Sequence, residues 1–371
     1  MKVCILSHCF YPSKKRGGPT VSVTNMVKIL SEKVDLSVIT VVYDKDATVP
    51  YSEVSIGKNR LFGADVYYLS ENTDTAFYNC ISEITPDIIY VSSLFSRQYS
   101  LPAMRYAKKH KNVRLIIAPR GELMPSALKR KKAIKSLFLC LTKPQISGRA
   151  EFHVTSDEEC AAVKRFYPQN RVWQIKNLPS SISNDFGREK KVAGELHLVT
   201  VGRVHPIKNV DYAISLLSEI KGSVTFDIYG PEEDAEYVTH CKQLAGELPE
   251  NVQVRFVGII DHDSVGQVLS RYHAFLAPTQ SENYGHSIIE ALLAGLPAVI
   301  SNNTPWHELE ENYAGADIAL ERRDLFVKSL QQLTDMDDDS YRLWSKGAVK
   351  YISSRLAIEE TVDQYLQMFT K

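Results

Sequence analysis

The feature that most constrains this chain is an alternation that occurs twice: short apolar, β-branched runs separated by stretches with helical periodicity. In the first half, strands are expected at Val3–Ser7, Leu36–Val41, Ile88–Val91, Arg114–Ile117 and Glu151–Val154, with helical segments such as Val21–Leu30 and Leu101–Lys108 between them. The second half repeats the plan with strands at His197–Val201, Thr225–Tyr229, Val252–Phe256, Ala274–Ala277, Ala298–Ser301 and Asp317–Leu320. Its helical segments include Val210–Ile220, Ala235–Leu244 and Ile288–Ala294. Strands that are apolar along their whole length must be covered on both faces, and parallel sheets with crossover helices achieve this. Right-handed crossovers then give a doubly wound α/β fold in each half.

A length of 371 residues, 44% of them hydrophobic, suits two cores rather than one. The break is expected in the turn-rich stretch 177–194. That gives an N-terminal Rossmann-like domain over 1–178, a C-terminal domain over 195–354 and a last amphipathic helix near Arg355–Met368. The net charge of zero conceals an asymmetry: residues 1–178 carry 27 Lys+Arg against 15 Asp+Glu, and the remainder 17 against 29. The basic half suits an anionic acceptor or an anionic membrane surface, or the two halves attract one another across a cleft.

The six cysteines are scattered without a C-x-x-C pair, which argues against zinc and redox motifs and for a reduced, cytoplasmic setting. No apolar run approaches the roughly 20 residues of a transmembrane helix. The stretch Ala127–Leu141 interleaves five cations with an apolar stripe. It reads either as a helix resting on the inner face of an anionic membrane or as an ordinary domain helix with a basic face.

Three motifs carry chemistry. The segment 281–292 follows a strand and opens a helix at Gly285, so the first N–H groups of that helix, from His286 through Ser287 to Ile288, form an anion site. Glu282 and Glu290 beside it suit the hydroxyls of a sugar and a ribose. The alternative makes Glu282 a helix cap and Glu290 a surface residue. In the loop Gly202–Asn209, Arg203 and Lys208 stand at the carboxyl end of a strand, where doubly wound folds place ligands; the alternative is a polar surface loop. The third, Arg16-Gly17-Gly18-Pro19-Thr20, offers bare N–H groups at a helix start. It fits neither a dinucleotide fingerprint nor a P-loop.

Together these elements resemble the retaining GT-B glycosyltransferases of the "glycosyl transferases group 1" family. The family's E-x7-E motif matches Glu282 and Glu290, its G-R-x-x-x-x-K loop matches Gly202, Arg203 and Lys208, and its N-terminal Gly-Gly loop matches Gly17 and Gly18. The stretches Ala118–Leu123 and Asn303–Trp306 look like a subset acting on bacterial surface polysaccharides. The resemblance implies a GT-B α/β fold with two domains facing across a cleft and the last helix, 355–371, crossing back to the first domain. It also implies transfer of a sugar from a nucleotide-diphosphate donor, UDP favoured, to a hydroxyl of a glycan or lipid-linked glycan, with retention. By the same resemblance Arg203 and Lys208 would neutralise the diphosphate, Glu290 would hold the ribose and Glu282 the sugar. N–H groups near Gly18 and at Gly285–Ile288 take the distal phosphate and sugar. Gly230 flanks the nucleoside, and Asn283 and Tyr284 complete the donor loop.

One departure is the lack of the histidine that many relatives carry in the N-terminal domain, where this chain reads Tyr90–Ser96. Arg120 and Glu122, just after a strand, are the candidate active-site groups there. No cofactor is expected beyond the donor, and no metal: Asp44-Lys45-Asp46 and Asp261-His262-Asp263 match a D-x-D pattern that turns produce by chance. His153, at a strand, is expected to be a satisfied core residue. Nucleic acid is not an expected partner. The rival readings are a nucleotide-sugar 2-epimerase of the same fold and a non-catalytic nucleotide-sugar-binding subunit.

Overall fold

The structure, a computed structural model, describes residues 1–14, 17–129, 131–180, 190–260 and 264–371. It divides into one compact unit of Met1–Leu178 with Ile358–Lys371, and a second of Pro179–Ala357.

The first unit is built on an eight-stranded sheet. Its strands are β1 (Lys2–Leu6), β2 (Asp35–Val41), β3 (Gly57–Leu61), β4 (Ala64–Leu69), β5 (Ile88–Val91), β6 (Arg114–Ile117), β7 (Glu151–Val154) and β8 (Val172–Gln174), in the order β3-β4-β2-β1-β5-β6-β7-β8. All neighbours are parallel except β3, which runs antiparallel to β4. Alternate residues of one strand serve two cores. Cys4 and Leu6 pack with Ile89, Val91 and Ile117 on one face, while Val3 and Ile5 pack with Val38, Ile88 and Ile116 on the other. Period-2 alternation buried on both sides explains the unbroken apolar character of these strands.

The stretch read as one helix, Arg355–Met368, is in fact interrupted. One helix, Asp338–Leu356, ends at Ala357 with φ 40°, and another spans Ile358–Thr370. The last helix buries Val362, Tyr365, Met368 and Phe369 against the Val3 and Ile5 face of the first sheet. At roughly 1.5–3 kcal/mol for each large apolar side chain, these four contacts are a substantial anchor.

The second unit carries β9 (Glu195–Val201), β10 (Ser223–Tyr229), β11 (Val252–Gly258), β12 (Ala274–Ala277), β13 (Ala298–Ser301) and β14 (Gly315–Ile318), all parallel, in the order β11-β10-β9-β12-β13-β14. The last strand begins two residues earlier than the expected Asp317. Part of the expected linker is tied down: Lys191 is 2% exposed and its ammonium donates to the carbonyls of Val192, Thr334 and Met336. A cation there meets the carbonyl end of the helix Arg323–Asp335.

Among the described residues, no helix is long and apolar enough to cross a membrane.

Candidate functional site

Two loops of the second unit leave the carboxyl ends of adjacent strands and are laced together. After β12, Gln280 N–H and the Thr279 hydroxyl both donate to the Ile207 carbonyl, at 2.9 and 2.8 Å, and Asn209 Nδ2 donates to Pro278 O at 3.0 Å. Pro206–Lys208 forms a single 3-10 turn, opened by His205, whose Nδ1 accepts from Ile207 N–H, and closed by Asn209 with φ 57°. That turn aims Lys208 at the second loop, where its ammonium donates to Glu282 Oε2. Arg203 Nη1 meets Glu233 Oε2 at 2.9 Å. Both cations expected to await an anion are therefore already paired with carboxylates.

The helix His286–Leu293 begins at Gly285, whose φ of 74° suits glycine, and no side chain caps it. The first N–H groups of a helix have no partner within the helix itself and face outward from its tip. Glu282 does not cap the helix: its N–H donates to Asn303 O, and its carboxylate meets Lys208 and the Asn283 N–H. Trp306 Nε1 donates to Tyr284 O at 2.8 Å and fixes the turn from below. Tyr284 is buried, with its ring edge-on to Trp306 and 4.8 Å from the ring of the half-buried His286. Thr200, Gly202, Arg203, Lys208, Thr279, Glu282, Ser287 and Ile288 line one hollow. A cationic pair, a helix tip and a carboxylate therefore converge within a single unit.

Gly230 abuts this hollow from behind. A Cβ there would lie 1.8 Å from the Gly202 carbonyl oxygen, so the chain after β10 can approach the Gly202 turn only without a side chain. Glu290 lies deeper in the helix, only 5% exposed, which rules out the surface-residue alternative. Its Oε1 accepts from Ser180 Oγ at 2.8 Å, and burial pushes its carboxyl up to about 7 against the pull of that bond.

In the first unit, Gly17 has φ 57° and opens the helix Gly18–Leu30; Arg16 lies outside the described residues. Arg120 and Glu122 follow β6. The Glu122 carboxylate accepts from the Ser93 hydroxyl and the N–H groups of Leu94 and Phe95, at 2.7, 2.6 and 3.2 Å. Burial raises its pKa and these bonds oppose the rise. Glu122 thus shapes the 93–95 loop. Arg120 reaches Ser92 Oγ, Asn177 Oδ1 and the Tyr90 hydroxyl. His153 is buried beneath this network: it bonds the Tyr90 hydroxyl and the Ile175 carbonyl, and burial first, then Arg120, hold its pKa down to about 3. Asp44 ties down the loop after β1 by accepting from the Ser13 hydroxyl and the Lys14 N–H, and 261–263 lie outside the described residues.

Sequence reasoning missed Glu233, Ser180 and Asn177, which engage Arg203, Glu290 and Arg120. Each is an ordinary polar residue in a loop, and only the fold selects it.

Two doubly wound α/β domains on largely parallel sheets define the GT-B class. Sucrose-phosphate synthase of Thermosynechococcus elongatus superposes on 100% of this chain and 98% of its own, with a TM-score of 0.74 at 15% identity. HepE of Anabaena, solved with UDP-glucose, covers 100% and 99% with a TM-score of 0.72 at 15% identity. Residues 181–350 match the family described as glycosyl transferases group 1. A 2-deoxystreptamine N-acetyl-D-glucosaminyltransferase of Niallia circulans is 24% identical over 179 residues, 47% of this chain and 43% of the relative. The GtfA subunit of a UDP-N-acetylglucosamine–peptide N-acetylglucosaminyltransferase of Streptococcus agalactiae is 26% identical over 133 residues, 34% of this chain and 25% of the relative. The chain thus spans less than half the length of these curated relatives.

Proposed function

We propose that the chain is a glycosyltransferase that moves a sugar from a nucleotide-diphosphate sugar, UDP favoured, to a hydroxyl of a glycan or lipid-linked glycan, with retention of configuration and without a metal. The observation that carries this reading is the convergence of Arg203, Lys208, Glu282 and the tip of the helix His286–Leu293 on one hollow. Transfer forms a bond from the acceptor oxygen to the anomeric carbon, breaks the bond from that carbon to the diphosphate, and passes the hydroxyl proton to the departing phosphate. Negative charge grows on the departing phosphate, and fixed cations and N–H dipoles aimed there lower the barrier. Arg203 and Lys208 supply the charge, and the N–H groups at Gly285–Ile288 supply the dipoles. Glu282 accepts from the sugar hydroxyls and Glu290 from the ribose. Asn283, Tyr284 and His286 hold the donor loop in shape, and Gly202 and Gly230 let the backbone come close to the nucleotide. Gly17 and Gly18 offer N–H groups to the distal phosphate or sugar.

UDP is favoured because HepE was solved with UDP-glucose and the GtfA relative carries UDP-N-acetylglucosamine in its name. The exposed face of the helix Lys132–Ile146 favours a lipid-linked acceptor and a station on the inner face of a membrane. There Ile134, Leu137 and Leu141 are 66%, 61% and 65% exposed, beside the exposed Lys131, Lys132 and Lys143.

Thermal stabilisation by UDP, GDP, ADP and CMP tests the reading. A nucleotide at a hundred times its Kd adds about 2.7 kcal/mol. UDP is expected to give the largest rise, and Arg203→Ala with Lys208→Ala to abolish it in a folded protein. Undiminished stabilisation and transfer in that double variant would remove the assigned phosphate site.

A further inference from the structure

Arg114 and Arg120 bracket β6, and the fold treats them differently. Arg114 uses four of its five N–H groups and has a carboxylate partner: its Nε and Nη2 meet the Glu151 carboxylate at 2.8 and 3.0 Å, and Nη1 and Nη2 also meet the carbonyls of Phe369 and Met368, each at 2.9 Å. Arg120 is half-buried yet meets only neutral acceptors. Nε donates to Ser92 Oγ at 2.9 Å, Nη1 to Asn177 Oδ1 at 2.9 Å, and Nη2 lies 3.4 Å from the Tyr90 oxygen. Three of its five N–H groups are thereby used. Among the described residues no carboxylate forms an ion pair with it, although Arg203, Arg255, Arg322, Arg323, Arg342 and Arg355 each have one.

The network behind Arg120 cannot absorb its charge. Arg120 donates to Tyr90, the Tyr90 hydroxyl donates to His153 Nδ1, and His153 Nε2 donates to the Ile175 carbonyl. With Nε2 as donor, Nδ1 must accept, and a pKa near 3 keeps the ring neutral. Donors run one way along the chain, and the surplus positive charge stays at its open end.

The backbone is bent to hold it there. Arg120 has φ 50°, a left-handed conformation that costs a non-glycine residue about 1–2 kcal/mol. Two carboxylates flank the bend: the buried Glu159 accepts from Gly121 N–H at 2.6 Å, and the half-buried Glu122 ties down Leu94 and Phe95. Strain maintained from both sides marks a side chain whose position matters. That position is the carboxyl edge of the sheet. Ser92 follows β5, which flanks the point where strand order reverses between β1 and β5; Arg120 follows the neighbouring β6, and Asn177 follows β8 at the sheet edge. Open α/β sheets bind ligands at this place.

We propose that Arg120 is the centre of an anion-binding site of the first unit, receiving a carboxylate or phosphate group carried by the acceptor. The two remaining N–H groups suit a pair of oxyanion oxygens, and the surrounding unit, with 27 cations against 15 acids in residues 1–178, raises the local concentration of such a ligand. Assigning the anion to the acceptor rests on the glycosyltransferase reading; the binding itself does not.

The test uses the full chain carrying Arg203→Ala and Lys208→Ala, labelled with 15N-arginine, so that the second unit's phosphate site plays no part and no transfer is needed. The Arg120 Nε–Hε signal is assigned by through-bond correlation to its own amide and followed on titration with sodium phosphate and, separately, sodium acetate, against sodium chloride at matched ionic strength. The expected result is saturable displacement of that signal by one of the two anions, half-complete at a concentration about tenfold or more below that needed with chloride. The Arg114 signal stays still. Response to phosphate assigns a phosphate-bearing ligand, and response to acetate a carboxylate. If neither anion moves the Arg120 signal beyond the chloride control, or if Arg114 moves equally, the site does not exist. Loss of transfer activity elsewhere in the protein would leave this outcome unchanged.

Discussion

Glu290 makes a quantitative test of how the second unit balances stability against function. Its carboxyl is 5% exposed, and burial raises its pKa from 4.5 to about 7. In the native protein the group therefore holds its proton more tightly than in the unfolded chain. A raised carboxyl pKa favours folding at low pH, and that advantage is lost as pH rises from about 4.5 through about 7. At about 1.4 kcal/mol per pH unit, the loss comes to roughly 3 kcal/mol at pH 8 and less than about 1 kcal/mol at pH 5. Glu290→Gln has the same shape, keeps an oxygen to accept from Ser180 and carries no charge, so it escapes the loss. The variant is expected to be more stable than wild type by about 3 kcal/mol at pH 8, a rise of roughly 6–12 °C in the Tm of this unit, and nearly equal to wild type at pH 5. Trp306 and Trp344 report on the second unit by fluorescence once Trp173 of the first is replaced by phenylalanine. The same variant should lose nucleotide affinity by about tenfold, because an amide replaces the carboxylate proposed to accept from the ribose. A gain that is absent at pH 8, or equal at pH 5 and pH 8, would show that desolvation of Glu290 is not what sets its proton affinity.

Gly230→Ala places a Cβ 1.8 Å from the Gly202 carbonyl, at a residue with φ 151°, and is expected to destabilise the second unit by more than about 2 kcal/mol in urea denaturation. Ile134→Glu with Leu137→Glu should cut sedimentation with phosphatidylserine vesicles by about tenfold or more without lowering Tm, since both side chains are exposed. Equal sedimentation of the unaltered protein with neutral and anionic vesicles would count against the membrane reading. Glu282→Gln is expected to narrow the difference in Kd between UDP and a UDP-sugar, measured by calorimetry; a difference that stays as wide would place Glu282 away from the sugar.

Legibility followed the physics of each element. β1, β2, β5, β12 and β13 were readable because they are buried along nearly their whole length, and β11, an edge strand, because its apolar residues alternate with exposed ones. β3 was not: an edge strand with alternate half-exposed residues, GKNRL looks like loop. Its hairpin to β4 turns on Phe62 and Gly63, both at positive φ, without the asparagine that advertises such a turn. β8 is three residues at the opposite edge. The break at Ala357 escaped notice because an alanine, not a glycine, takes the left-handed position. The basic stretch 127–141 also broke, into Pro125–Lys129 and Lys132–Ile146, with Lys131 left-handed at φ 55° between them. In the site, the residue types marked where the backbone turns and where cations and carboxylates stand beside a helix tip. Their mutual pairing was out of reach, because Lys208 and Glu282 are 74 residues apart and Arg203 and Glu233 are 30. A spacing rule sees neighbours along a helix, not across two strand ends.

That pairing changes how the hollow works. Neither cation is at rest in open solvent; Lys208 holds Glu282 and Arg203 holds Glu233. The Arg203 pair is the more exposed, with 42% and 21% of its side-chain surfaces accessible against 24% and 20% for the Lys208 pair. A solvent-exposed pair is worth about 0–1 kcal/mol, so exchanging Glu233 for a phosphate is cheap. The Lys208 pair sits deeper. A phosphate that draws Lys208 away leaves a half-buried carboxylate without its cation, and such a group costs more than the pair contributed. On the proposed reading, a nucleoside diphosphate alone offsets that loss less well than one that carries a sugar, whose ring hydroxyls would donate to Glu282 as the ammonium turns toward the phosphate. The ion pair would then couple recognition of the two parts of the donor and favour the loaded donor over its spent product.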